Sequence, residues 1–339
     1  MEVLWRSLAV QDEHHKAFTD LILWQGRHWL VYREGDSHAG GPGRVMLTSS
    51  LDEGETWSVP APVMAEPLDS RDPKLWVLGG RLWCSAIVWP GPAGVEFKQS
   101  SWVTSTADGS RWSEPQPILG PPSTLWRPVA RAGRLYAAVY HAPGPPNSPE
   151  DRGRWDVCLA ISEDGQNWRE WAEIATGDAA NETQVAFIPS VEGAGWHPDT
   201  MLAVVRREAA PEAYTTLVMR SEPPYTDWNQ VADMGVTLHA PCMAWVGERL
   251  ILAGRLWEPI VAEDGSGQWQ ESLAAYEWRD GGFSEIGRIW DPLPGVDARY
   301  VGIAPVGDTG DEVLVSTYIG IPDGKADIWV AKVRFGGDG

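Results

Sequence analysis

The eight residues Ser50-Leu-Asp52-Glu-Gly54-Glu-Thr56-Trp57 constrain the fold more than any other stretch. They read S-x-D-x-G-x-T-W. An Asp at the start of a turn accepts hydrogen bonds from backbone N–H groups ahead of it. The Gly takes backbone angles that other residues resist, and the Trp carries the chain back to a buried surface. The frame recurs in weaker form. Ser105-Thr-Ala-Asp108-Gly109-Ser-Arg-Trp112 keeps Ser, Gly and Trp, with the acid moved by one. Ile161-Ser-Glu163-Asp164-Gly165-Gln-Asn-Trp168 keeps an acid, Gly and Trp, and Ser221 to Trp228 keeps only the two ends. From Trp57 through Trp112 and Trp168 to Trp228 the steps are 55, 56 and 60 residues, and a further 55 reaches Phe283, just past the turn Arg279-Asp280-Gly281-Gly282. A fixed period of this size marks a repeat architecture.

A chain of 339 residues could be two ordinary domains or one closed repeat fold, and the period favours one domain over residues 1–339. Between the turns, short apolar runs pair as hairpins. These are Leu21–Trp24 with Trp29–Arg33, Lys74–Leu78 with Leu82–Trp89, and Trp126–Ala130 with Leu135–His141. Thr183–Ile188 pairs with Met201–Arg206, Met243–Val246 with Leu250–Arg255, and Val301–Pro305 with Glu312–Tyr318. Each hairpin is followed by a third strand and a fourth carrying Trp or Phe, and no run of 12 residues has a helical period. Six units of four antiparallel strands predict an all-β, six-bladed β-propeller. Val3–Leu8 has no unit of its own and is expected to close the last one beside Ile328–Val333. The proline-rich stretch Ala142–Pro149 reads as a surface loop.

The net charge of −20 argues against nucleic acid and an anionic membrane surface, both of which need clustered Lys and Arg. No segment approaches 18 apolar residues. Without a basic leader followed by an apolar run, the chain as written reads as cytoplasmic, or as periplasmic or secreted if a leader has been removed. Cys84, Cys158 and Cys242 lie in apolar runs without a C-x-x-C pair and read as buried free thiols. The histidines show no metal-ligand spacing, so neither metal nor cofactor is expected.

In a propeller, function gathers where inner strands begin and second strands end. The second strands end in Tyr32-Arg33, Val88-Trp89, Tyr140-His141, Val205-Arg206, Gly254-Arg255 and Thr317-Tyr318. Inner strands add Asp20, Arg71 with Asp72, Arg127, Glu182 and Tyr300. This is a cationic pocket in an acidic protein, suited to a carboxylate held by guanidinium forks. Whether Arg206 or Arg207 faces inward is open, since neighbours on a strand point to opposite sides. His38 and His141 fall at the predicted mouth and could bind hydroxyls. The inner-strand tryptophans read as core, and Trp89 and Trp257 as candidates for stacking on sugar.

The repeated turns resemble the Asp boxes of the sialidase (neuraminidase) superfamily of six-bladed propellers. Asn181-Glu182-Thr-Gln-Val-Ala-Phe-Ile-Pro, followed by Met201-Leu-Ala-Val-Val-Arg206, resembles that family's segment of Glu, apolar strand, turn and strand ending in Arg. Arg299-Tyr300-Val-Gly-Ile with Leu314-Val-Ser-Thr-Tyr318 resembles its nucleophile segment, and Arg33-Glu-Gly-Asp36-Ser-His38 lies where it keeps an acid/base Asp. The resemblance covers nearly the whole chain. It implies a Tyr300 nucleophile with Glu182 as its base, Asp36 as acid/base, and Arg206, Arg255 and Arg127 on a substrate carboxylate. One departure stands out. Where the family has Arg-Ile-Pro in its first blade, this chain has Phe18-Thr19-Asp20-Leu21, so one carboxylate fork is missing, and Arg33 or Arg71 could compensate from a neighbouring blade. Asp20 in that place could hold sugar hydroxyls or act as a carboxylate catalyst. Three functions fit. One is an exo-acting glycoside hydrolase for a terminal acidic sugar. The second is a hydrolase using a carboxylate pair among Asp20, Asp36 and Glu182 on a different sugar. The third is a non-catalytic glycan-binding propeller. All three take a carbohydrate or glycoconjugate partner.

Overall fold

The computed structural model describes residues 1–38, 41–64, 68–89, 99–144, 149–188, 196–208, 215–261, 267–294, 299–307, 310–320 and 324–336. It is an all-β propeller built mainly from antiparallel four-stranded sheets. The first group in the chain is His15–Trp24, Arg27–Gly35, Arg44–Ser50 and Ala61–Met64; the second is Asp69–Leu78, Arg81–Trp89, Ser100–Thr106 and Gln116–Ile118. In the third, Ser123–Leu125 and Val129–Arg131 both pair with Arg134–His141, which leads out to Asp156–Ser162 and Arg169–Thr176. The fourth is Ala180–Ile188, Thr200–Arg207, Leu217–Ser221 and Asn229–Asp233. The fifth is Thr237–Val246, Arg249–Val261, Gly267–Arg279 and Gly282–Pro294. The last is Gly302–Val306, Glu312–Gly320 and Ala326–Arg334, completed by Glu2–Val10.

Among the described residues, hydrogen bonding yields five sheets rather than six, because the first and last groups are joined into one of eight strands by a single parallel pair, His15 with Ala326. The N-terminal strand lies antiparallel to Ala326–Arg334, as the sequence predicts. The predicted loop after Ala142 holds one short helix, Pro149–Gly153; its residues 145–148 lie outside those described. Trp57, Trp112 and Trp168 precede the fourth strands rather than lying in them. Apolar side chains of facing sheets interlock; one cluster centres on Leu30, Trp126, Ala138, Val205, Leu314 and Val330.

The inner strands share one irregularity that matters for the site. Four of them are broken near the start by one extra residue, between Ala17 and Asp20, Arg71 and Lys74, Ala180 and Thr183, and His239 and Cys242. In the third group the break falls at Trp126-Arg127-Pro128. In three of these bulges a non-glycine residue takes a left-handed backbone: Phe18 (φ 59°), Asp72 (φ 51°) and Ala240 (φ 48°). A bulge re-aims its side chains, and strain of this kind gathers at functional sites.

Candidate active site

The bulges open onto a cavity of about 290 Å³ lined by Arg71, Asp72, Glu182, Arg206, Arg255 and Tyr300, with Phe18, His38, Trp89, Tyr140 and Trp155 among its walls. The Tyr300 hydroxyl donates to Glu182 Oε1 at 2.5 Å. Arg206 Nη1 lies 2.7 Å from the same oxygen and 3.4 Å from the phenol oxygen. Glu182 Oε2 accepts the Ala240 backbone N–H at 2.9 Å, a donor exposed by the left-handed bulge. Both carboxylate oxygens are thus fixed.

Tyr300 is buried between Phe18, Tyr318 and Trp126, with the Arg255 guanidinium 4.9 Å from its ring centre. Burial pushes its phenol well above the usual value, and Glu182 pushes the same way, while Arg206 and Arg255 pull it back. The phenol therefore rests protonated and can attack only as Glu182 takes its proton. Burial would lower Arg206, but the carboxylates of Glu182 and then Glu208 more than offset this and hold its guanidinium above the ordinary value. Arg255 Nη2 lies 2.9 Å from Nδ1 of His239. Burial drives His239 far below its usual value, and the Arg206 and Arg255 charges add to this, so the ring is neutral and accepts from Arg255.

Arg71 sits between the rings of Phe18 and Trp89, 4.7 and 4.9 Å from their centres, with Nε 3.2 Å from Asp72 Oδ2. Asp72 Oδ1 and Arg71 Nη1 are buried and have no hydrogen-bond partner among the described residues. Arg71 Nη1 lies 3.7 Å from Asp69 Oδ2, and buried polar atoms without a hydrogen bond call for a water, an ion or a catalytic role to account for them.

Of the residues singled out from sequence, Glu182, Tyr300, Arg206, Arg255, Arg71, His38 and Trp89 meet at this cavity, while Tyr318 is buried against Phe18 and Tyr300. Arg206 faces inward, and Arg207 faces away to Asp178 and Asp233. Six others are placed elsewhere, one of them Trp257, which packs on His239 and Trp269 outside the cavity lining. Asp36 is exposed, one residue past its strand, and lines a separate cavity with Glu34 and Arg44. Arg33 folds back to Asp69 at 2.6 Å and the Ser37 carbonyl at 2.7 Å. Asp20 and Arg127 pair with each other along the inner strands. Asp20 also accepts the Leu21 and Leu75 N–H groups at 2.8 Å, and Arg127 donates to the Val301 carbonyl at 2.9 Å. His141 lies between Asp156 and Glu170 in the outer part of the third group. Tyr140, Trp155, Asn181 and Glu208 carry no site signal in the sequence, and Asp72 reads there only as the neighbour of Arg71.

Neither a protein-family model nor a curated relative matches the sequence. Solved structures do match. A protein of unknown function from Dyadobacter fermentans superposes with a TM-score of 0.78 at 18% identity, covering 98% of each chain. Trypanosoma rangeli sialidase in complex with the inhibitor DANA gives 0.68 at 13% identity, over 94% of this chain and 55% of that one. The phage phi92 endosialidase gives 0.67 at 10% identity, over 98% of this chain and 69% of that one. The fold is a sialidase-like propeller. This chain spans about half the length of the trypanosomal enzyme, and at such identities the likeness concerns fold alone.

Proposed function

We propose that this chain is an exo-acting glycoside hydrolase that removes a terminal acidic sugar. We count its blades as six, taking the eight-stranded sheet as two blades sharing one parallel pair. The observation that carries the activity is the 2.5 Å contact between Tyr300 and Glu182 inside a cavity bearing three arginines. The three guanidiniums of Arg71, Arg206 and Arg255 hold the substrate carboxylate. Arg71, from the second group, supplies the fork missing at Phe18. Tyr300 Oη attacks the anomeric carbon as its proton passes to Glu182. A neutral phenol approaches a carbon bearing a carboxylate with less repulsion than a carboxylate nucleophile would meet. Sialidases depart from the usual two-carboxylate scheme of glycoside hydrolysis in this way, by using a Tyr nucleophile. Asp72 protonates the leaving oxygen and then takes a proton from the water that releases the sugar, while Glu182 returns its proton to Tyr300. Asp72 takes this role in place of Asp36 because its carboxyl lines the cavity.

The test is release of 4-methylumbelliferone from a panel of sialosides and uronides. Tyr300→Phe, Glu182→Gln and Asp72→Asn should each lose about 10²–10⁴ in kcat, with Asp36→Asn near wild type. Full activity in Tyr300→Phe would overturn the assignment. The unpartnered Asp72 Oδ1 favours one second reading, a carboxylate pair of Asp72 and Glu182. An inverted first product, seen by NMR, together with an active Tyr300→Phe would select it.

A further inference from the structure

His141, read from sequence as a sugar contact, sits instead in a compact cluster with Cys158 and Glu170. Each comes from a different strand of the third group: Arg134–His141, Asp156–Ser162 and Arg169–Thr176. These strands are neighbours in the sheet, so the cluster crosses three consecutive strands. One ligand-type atom from each of the three residues lies within 4.8 Å of the others. His141 Nε2 is 3.1 Å from Glu170 Oε1. On its other side, His141 Nδ1 is 2.8 Å from Asp156 Oδ2, and Cys158 Sγ is 3.5 Å from the same oxygen.

We propose that His141 Nε2, Cys158 Sγ and a Glu170 carboxylate oxygen bind a zinc-type transition-metal ion at this place, with Asp156 orienting the imidazole.

Ligands bound to zinc at ~2.0–2.3 Å in a tetrahedron lie roughly 3.3–3.7 Å apart, so the 3.1 Å contact of His141 with Glu170 needs little adjustment, and Cys158 Sγ, within 4.8 Å of both, closes in by a side-chain rotation that moves it about 1 Å. The donor set fits too. One nitrogen, one sulfur and one carboxylate oxygen suit zinc and disfavour calcium or magnesium, which take oxygen shells. An imidazole that gives one nitrogen to a metal and its other N–H to a carboxylate is the arrangement that fixes tautomer and ring angle in metal sites, and Asp156 stands at that second nitrogen. Charge points the same way. Asp156 and Glu170 each contact His141, and no ion pair of either carboxylate with a Lys or Arg is found among the described residues. Three protein ligands leave the fourth position to water. Because the ion would tie three adjacent strands, its first consequence is stability of that sheet rather than glycoside chemistry.

The experiment uses the full chain, freed of metal with a chelator and carrying no histidine tag. Zinc is titrated against a chromophoric competitor, and cobalt(II) is added separately. One zinc per chain, a thiolate-to-cobalt charge-transfer band and a raised melting temperature are expected. Cys158→Ser should abolish the band, and Asp156→Asn should weaken zinc about 10–100-fold while the band persists. Glu170→Gln, at a half-exposed position that does not threaten folding, should weaken zinc as well. No bound zinc, or wild-type affinity in both Cys158→Ser and Glu170→Gln, overturns the proposal. Zinc lost instead on His14→Asn would also overturn it, since Asp12, His14 and Glu34 form the other such group among the described residues.

Discussion

At the scale of single residues, the site depends on neutral groups held beside charged ones. His239 accepts from Arg255 only while unprotonated. The unfolded chain takes up a proton at this position near pH ~6.5, whereas the folded protein, with its value far lower, does not. Stability from this residue is therefore complete above ~6.5 and declines as pH falls toward the folded value, by at most about 1.4 kcal/mol per pH unit. Urea midpoints measured between pH 7 and 5 should drop in the wild type and drop less in His239→Gln, whose amide oxygen can still accept from Arg255. Arg71 gives a second expectation. Held between two rings, it binds as a planar fork, so Arg71→Lys should raise KM for an acidic glycoside by about tenfold or more with little loss in kcat. Steady-state kinetics on that variant decide the point. Arg206 and Arg255 are legible in the sequence because they lie inside second strands, where register fixes direction. Glu182, in a bulge, and Tyr300, two residues before its strand, are legible only through the segments that resemble the sialidase pattern. Asp36 and His141 stand at strand ends, where alternation no longer governs the side chain. Asp72 is hidden in the sequence because Arg71 beside it offers an obvious ion-pair partner, and a bulge turning both toward the cavity leaves no mark in composition.

At the scale of elements, the acidic turns explain why the repeat is visible. In the first, Asp52 Oδ1 accepts the Thr56 N–H at 2.9 Å and the Ser50 hydroxyl at 2.7 Å, and the Gly54 N–H reaches Ser50 Oγ at 2.8 Å. Bonds from the Thr56 side chain, then from its backbone, bring the Asp52 carboxyl down to about 2. The second and third turns use the same bonds with Thr106 and Asp108, and with Ser162 and Asp164. Aligned on Ser105, the acid of the second turn is displaced by one. In structure the leading hydroxyl is Thr106 rather than Ser105, and the turn is one residue shorter before its Trp. Gly54 has φ +87°, and a Cβ there would lie 2.9 Å from Leu314 Cδ1, a residue of the last sheet. Gly54→Ala should therefore destabilise the fold by about 1–3 kcal/mol, read by chemical denaturation, while sparing catalysis. The repeat itself is legible because the first three turns restate the same local bonds. The join of first and last groups into one sheet is not, since it rests on one backbone pair with no side-chain signature.

At the scale of the whole molecule, the N-terminal strand covers the edge of the last group by pairing antiparallel with Ala326–Arg334. Removing residues 1–10 would bare one long edge of Ala326–Arg334 beside the cluster of Val313, Val333 and Phe335. The shortened chain should melt lower and associate through that edge, measurable by light scattering. The inner strands are tied more tightly. Asp20 is bonded to its own strand, to Leu75 of the second group and to Arg127 of the third, and Arg127 reaches Val301, next to Tyr300. Replacing Asp20 by Ala would leave Arg127 a buried charge without its counter-ion, at a cost of about 3–5 kcal/mol.

That buried pair also sets a rule for anyone wishing to redirect this scaffold toward other ligands. Diversity can be introduced at Trp155, which walls the cavity without holding Arg71. A library that randomises Asp20 or Arg127 would mostly return collapsed proteins, and selection would mistake their inactivity for a statement about specificity.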